Sequence, residues 1–213
     1  MQILVNAGPT REYFDSIRFI SNPSSGRMGY AIAAAARDRG HRVVLVSGPV
    51  AIRPPAGVEF ISVVSAAEMA RACKSVFGGC EAAILTAAVC DYRPRRRLTH
   101  KLRKQPRARS IVLEPTEDIC TSLCRRKGGR IVIAFAMEDR AGHRHAEQKL
   151  RRKGCDAVVL NGPENIGSAD ATVEVLLACG RWLPAICGTK RAIARRLVRL
   201  TEQLAAGRVP QRL

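Results

Sequence analysis

The stretch Phe19-Ile-Ser-Asn-Pro-Ser-Ser-Gly-Arg-Met-Gly29 places a side-chain amide, several hydroxyls and two glycines just ahead of the alanine run Ala31–Ala36. The alanines require a helix, so Asn22, Ser24 and Ser25 fall where a loop turns into one. Their side chains are suited to capping orphan amides, and Gly26 and Gly29 allow close backbone approach. Hydroxyls, free amides and the positive helix end together make a cradle for a phosphate or carboxylate. Gly8 and Thr10, in Ala7-Gly-Pro-Thr10 after the first apolar run, supply a neighbouring loop.

The elements that must hold these groups follow from periodicity. Short apolar runs at Ile3–Asn6, Val43–Ser47, Val58–Val63, Ala82–Ala88, Ile131–Ala136 and Ala157–Leu160 predict buried strands, with a shorter one at Ile111–Leu113. Helices are predicted over Tyr30–Arg39, closed by Gly40, and from the Ser65 cap to about Val76. Further helices are expected over Ile119–Arg126, capped within Thr116–Asp118, over His145–Lys153, and over Thr189–Leu204. In the last, Ile193, Leu197, Leu200 and Leu204 share a face. Val173–Cys179 and Trp182–Cys187 read as an antiparallel hairpin around Gly180-Arg181.

Alternating strands and helices predict a Rossmann-like α/β fold, doubly wound, with a mainly parallel sheet and a small antiparallel addition near the C-terminus. We expect one domain over 1–207 with a tail at 208–213. Ligands in such sheets bind beyond the carboxyl ends of the strands, where Asn6–Thr10, Ser47-Gly48, Ala87–Asp91, Phe135–Glu138 and Asn161 converge. A dinucleotide site fits poorly: Gly-x-Gly-x-x-Gly is missing after the first strand, and Ser47-Gly-Pro49 stands where an acidic residue is needed.

Hydrophobic residues form 46% of the 213-residue chain, enough for a core, and no run approaches the roughly 20 apolar residues of a membrane span. Met1-Gln-Ile-Leu-Val leads straight into a strand, so a cytoplasmic protein is expected. Lys and Arg number 36 against 18 acidic residues, a net charge of +18 that should attract polyanions. Arg93 to Arg109 carries nine Lys/Arg and no acidic residue. At 4%, aromatics are too scarce for a base-stacking surface, which counts against nucleic acid as the partner. None of the eight cysteines forms a Cys-x-x-Cys pair and no His stands at zinc spacing, so they are read as small core residues in a reducing compartment.

With these motifs laid out, the sequence resembles phosphopantothenoylcysteine synthetase, the ligase of coenzyme A biosynthesis often fused to a flavin-dependent decarboxylase. The likeness is carried by Ala7–Glu12, Arg18–Gly29, Leu45–Pro49, Ala87–Pro94, Lys101–Lys104, Thr116–Ile119, Ala134–Glu138 and Gln148–Gly154. It implies a free-standing synthetase half without flavin. The implied reaction joins 4′-phosphopantothenate to L-cysteine through an acyl nucleotide, using CTP, or ATP, with Mg²⁺. It further implies a homodimer.

By resemblance, Lys101 and Asn22 are the catalytic pair, and Lys101 sits on a basic loop at about 93–109, expected to close over the triphosphate. Ala87, Asp91, Thr116, Glu117, Asp118, Ile119, Phe135, Lys149 and Lys153 correspond to nucleotide contacts, with Asp91 also a candidate metal ligand. Lys149 and Lys153, four apart, share a helical face. Thr116 and Glu117 depart from the family's Asn-Pro, leaving the choice of base open. A Rossmann-type NAD(P) oxidoreductase and a basic nucleic-acid-binding protein are the alternatives from other classes.

Overall fold

The computed structural model describes residues 1–211; the last two residues of the expected tail lie outside them. In chain order the elements are β1 (Gln2–Ala7), β2 (Arg11–Tyr13), β3 (Phe19–Ser21), α1 (Arg27–Asp38), β4 (Arg42–Ser47), β5 (Glu59–Ser62), α2 (Ala66–Phe77) and β6 (Ala82–Leu85). They continue with β7 (Tyr92–Pro94), β8 (Leu113–Pro115), α3 (Ile119–Cys124), β9 (Ile131–Met137), α4 (Gly142–Lys153), β10 (Ala157–Asn161), β11 (Asp170–Leu177), β12 (Trp182–Thr189) and α5 (Lys190–Ala205).

Eight strands form one sheet in the order β12-β11-β10-β9-β6-β1-β4-β5. The six strands from β10 to β5 are parallel; β11 adds antiparallel to β10 and β12 antiparallel to β11, the small antiparallel addition that the sequence pattern predicts. Strand order reverses between β1 and β6, where the register runs from Ile3↔Ala82 to Asn6↔Leu85. The crevice that a doubly wound sheet opens for ligands lies at that reversal.

Both faces of the sheet are covered, which is why its strands are apolar without polar alternation. Along β1, Ile3, Val5 and Ala7 join a core with α1 and α5, while Leu4 joins another with α2, α3 and α4. The alanines of α1 let that helix lie close to the sheet and to α5. Gly29 is the tightest point: a methyl there would stand 2.5 Å from both Ala7 Cβ and Thr86 Oγ1.

Several boundaries differ from the sequence expectation. Helix α1 starts three residues earlier than predicted, at Arg27, and α4 starts at Gly142. Strand β6 stops at Leu85, with Ala88 reached through an isolated bridge to Pro9. The strand expected at Ile111–Leu113 is displaced to Leu113–Pro115, because its partner is Tyr92–Pro94. Cys179 and Cys187 are exposed, contrary to a core role: one follows β11 at the hairpin turn and the other lies on edge strand β12. The other six are buried or half-buried.

The β2–β3 hairpin, unforeseen in the sequence, projects between β1 and α1. Tyr13 and Phe19 pack ring to ring at 5.1 Å, and the Arg11 guanidinium lies 4.6 Å over Phe19. Glu12, buried, accepts from the Ala66 amide at 2.7 Å and ties the hairpin to the start of α2.

Candidate active site

A cleft of about 520 Å³ opens at the carboxyl edge of β1, β6, β9 and β10. One wall is the loop Asn22–Gly26 with the first turn of α1. Gly26 is the N-cap, in a left-handed conformation at φ 71° that favours glycine, and no side chain caps the helix. The expected capping by Asn22, Ser24 and Ser25 is therefore corrected. Ser24 Oγ accepts from the Gly26 amide at 3.3 Å, which shapes the turn before the helix. The first amides of α1 are left for an anion in the cleft, so the cradle is built from backbone.

Asn22 has another task. Its amide nitrogen donates to the carbonyls of Ala88 (3.3 Å) and Val89 (3.1 Å), across the mouth of the cleft from the helix end. Its amide oxygen remains to meet a donor. Behind it, Asn6 Oδ1 accepts from the Ala87 amide at 3.0 Å and Thr86 Oγ1 donates to Asn6 O at 2.7 Å, locking the β6 loop to β1. Gly8 and Thr10 do not line the cleft: Gly8 O accepts from the Ala88 amide, and fully buried Thr10 accepts from the Cys90 amide at 2.9 Å. They support the loop from below rather than facing the cleft.

The opposite wall brings together Asp91, Thr116–Ile119, Phe135, Lys149 and Lys153. Thr116 Oγ1 donates to Cys90 O at 2.6 Å. Asp118 caps α3 by accepting from the Thr121 amide at 3.0 Å, and Lys153 reaches its other oxygen at 3.1 Å. Burial works against the Asp118 carboxylate, but the Thr121 amide and Lys153 outweigh it and hold its pKa below the usual range. Glu117 turns to Lys74 (2.8 Å) and Ser122 (2.6 Å), so its charge is engaged at the rim. Lys149 donates to Phe135 O at 2.8 Å; burial, and then Lys153 nearby, lower its pKa.

Among the described residues no group of three His, Cys, Asp or Glu could hold a metal ion, and Asp91 stands as a single exposed carboxylate. Lys101 is exposed and does not line the cleft. Its loop is fastened to the β2–β3 hairpin instead. Arg97 lies 4.9 Å over Tyr13, and the Leu98 amide donates to Phe14 O at 3.0 Å. Leu102 is held at both ends of its backbone: its amide donates to fully buried Asp15 (3.1 Å), and its carbonyl accepts from Arg18 (3.1 Å). Burial opposes ionisation of Asp15, yet the amides of Arg18, Ile17 and Leu102 keep its pKa below the ordinary value.

Three cations escaped the sequence reading. Arg152 lies on the lysine-bearing face of α4, three residues after Lys149, a spacing that was available. Arg27 donates to Gly167 O at 3.1 Å at the far end of the cleft. Lys190, 8% exposed, donates to Asn165 O at 2.8 Å and to Ser168 O. Lys190 had no legible signal, since it reads as the first turn of an ordinary amphipathic helix.

Fold and cleft define the class: a Rossmann-like α/β domain with a backbone anion cradle facing a cationic wall across the strand-order reversal. The chain belongs to the family of the DNA/pantothenate metabolism flavoprotein C-terminal domain, which matches residues 1–204. It is 42% identical over 160 residues to the coenzyme A biosynthesis bifunctional protein CoaBC of Bacillus subtilis, covering 75% of this chain and 39% of that one. The chain thus spans well under half of that relative. The crystal structure of the C-terminal domain of a CoaBC protein superposes with a TM-score of 0.85 at 35% identity, over 97% of this chain and 96% of that one. A Cab2 mutant, solved in complex with phosphopantothenate-cysteine, shares the fold: TM-score 0.79, 15% identity, 97% and 87% coverage.

Proposed function

We propose that the chain is a phosphopantothenate–cysteine ligase that works through an acyl nucleotide. Membership of the family supports this, as does the ligand named for the Cab2 relative. The observation that carries the reading is the pairing, across one cleft, of uncapped α1 amides beside Asn22 with Lys149 and Lys153.

In the first step a carboxylate oxygen of phosphopantothenate attacks the α-phosphorus of CTP or ATP, and pyrophosphate leaves. Two anions must approach, so fixed cations and helix amides have to offset their repulsion and hold charge on the phosphorus. Lys149 and Lys153 face the nucleotide, and Lys101 joins them when its loop approaches. In the second step the amine of cysteine attacks the acyl carbon, a proton leaves the nitrogen, and the nucleoside monophosphate departs. Asn22, its nitrogen committed to Ala88 and Val89, offers its oxygen to the incoming amine and orients the acyl group. Magnesium bound to the triphosphate would supply further charge neutralisation, and we assign Asp91, an exposed carboxylate on the cleft, to meet it.

The test is pyrophosphate release with CTP or ATP, phosphopantothenate present, and cysteine supplied or omitted. Release of pyrophosphate without cysteine, with an acyl nucleotide accumulating in Asn22→Asp, is the expected result. Lys101→Gln should release almost none. Full activity in both folded variants refutes the assignment.

A further inference from the structure

Three thiols meet behind the nucleotide wall, and the ligase chemistry uses none of them. Cys120 and Cys124 lie one turn apart on α3, with their sulfurs 3.9 Å apart. Cys155, between α4 and β10, is the third, and is buried in the same core cluster as Cys120. Cys120 is 7% exposed, and the surface it retains faces the cleft, next to Ile119. Thiol hydrogens from Cys124 and then Cys155 stabilise a thiolate on Cys120, with Lys153 adding its charge, so the Cys120 pKa falls below the ordinary thiol range while its two neighbours rise. A thiolate walled by cations and open to a cleft is the environment in which cysteine reacts.

We propose that Cys120 is an oxidation site, that Cys124 is its resolving thiol, and that a nucleotide in the cleft shields it. The co-reactant is a peroxide. The Cys120 thiolate attacks one oxygen of hydrogen peroxide, the O–O bond breaks, and with one proton taken up the products are a sulfenic acid and water. The Cys124 sulfur then attacks the Cys120 sulfur, losing its proton, and hydroxide leaves as a second water. Two thiols have lost two electrons and the peroxide has gained them.

Geometry decides the consequence. Residues four apart on a helix have Cα atoms about 6 Å apart, inside the disulfide range, but Cβ atoms about 5–6 Å apart, beyond it. Closing the sulfurs from 3.9 Å to about 2 Å therefore distorts α3. That helix has only six residues, and its cap, Asp118, and first residue, Ile119, both line the cleft. The cross-link would reshape the nucleotide wall and reverse on reduction.

The shielding rests on the ligase reading; the cross-link does not. The test treats the full chain with hydrogen peroxide, blocks remaining thiols with N-ethylmaleimide, and maps the peptides by mass spectrometry. A Cys120–Cys124 bridge, removed by dithiothreitol, is expected. In Cys124→Ser, oxidation should stop at a Cys120 sulfenic acid that dimedone traps. With CTP or ATP at about ten times its Kd, modification of Cys120 should slow about tenfold. A Cys120–Cys155 bridge, or Cys120 recovered only as its maleimide adduct, overturns the proposal. An unchanged rate in a sample shown by calorimetry to bind nucleotide overturns the shielding. A sample that binds no nucleotide while forming the bridge removes the ligase reading and upholds the oxidation site.

Discussion

Replacing Gly29 by alanine tests how closely helix α1 must lie on the sheet. The added methyl would stand 2.5 Å from Ala7 Cβ and 2.5 Å from Thr86 Oγ1, about 1 Å short of the roughly 3.5–4.0 Å at which carbon atoms attract. Neither neighbour can turn away: Ala7 has no rotamer, and Thr86 is held by its bond to Asn6 O at 2.7 Å. The helix must therefore lift by about 1 Å, an overpacking that costs about 1–3 kcal/mol. For a chain of this length that lowers Tm by about 2–12 °C. The lift also moves the cradle amides of α1, and a displacement of about 1 Å at a reacting centre costs about 100-fold in rate. Differential scanning calorimetry and the pyrophosphate assay read the two effects. Gly129→Ala is the control, because nothing lies within 4 Å of a methyl there. If Gly29→Ala keeps both the parent Tm and the parent rate while remaining folded, the close approach has no role in building the site.

Three further outcomes follow from the same geometry. Asp118→Ala removes the cap of α3 and the partner of Lys153, so denaturant titration should report a loss of about 1 kcal/mol, and the KM for nucleotide should rise; an unchanged midpoint refutes the capping role. Burial lowers the Lys149 pKa, so its positive charge is lost as pH rises, before an ordinary lysine at 10.5 would lose it. Nucleotide affinity should thus decline on the alkaline side below that value, and Lys149→Arg should move the decline upward; a limb that stays in place would clear Lys149 of the role. Asp15→Asn weakens the acceptor that holds Leu102, so limited trypsin digestion should cut faster between Arg95 and Arg109 and kcat should fall more than the nucleotide KM changes; equal digestion of variant and parent refutes the tether.

The parallel sheet was legible because each buried strand announces itself as a short apolar run, and the helices between them carry caps and stripes. The three-residue strands β2 and β3 were not, since Arg11–Ser21 shows neither alternation nor a turn dipeptide, and its order comes from buried Glu12 and Asp15 meeting distant amides. At the site, the loop and the α4 lysines could be placed from their spacing. The pairing of Glu117 with Lys74, 43 residues away, could not, nor could the grip of Lys190 on the Asn165–Ser168 turn, because both depend on tertiary approach. Cys179 and Cys187 sit among apolar neighbours in sequence yet are exposed, the first because it lies in the turn after β11 and the second because it lies on the open side of edge strand β12.

The grip on Leu102 makes Lys101 a short pendulum. Neighbouring Cα atoms are about 3.8 Å apart, so while Asp15 and Arg18 hold the pivot, the lysine backbone swings on a radius no larger than that. A longer journey has to carry the β2–β3 ribbon along with it. That ribbon runs directly into Asn22 at its other end. Ammonium and amide are in this way yoked to one mechanical part, so a displacement of Lys101 beyond that radius displaces Asn22 with it.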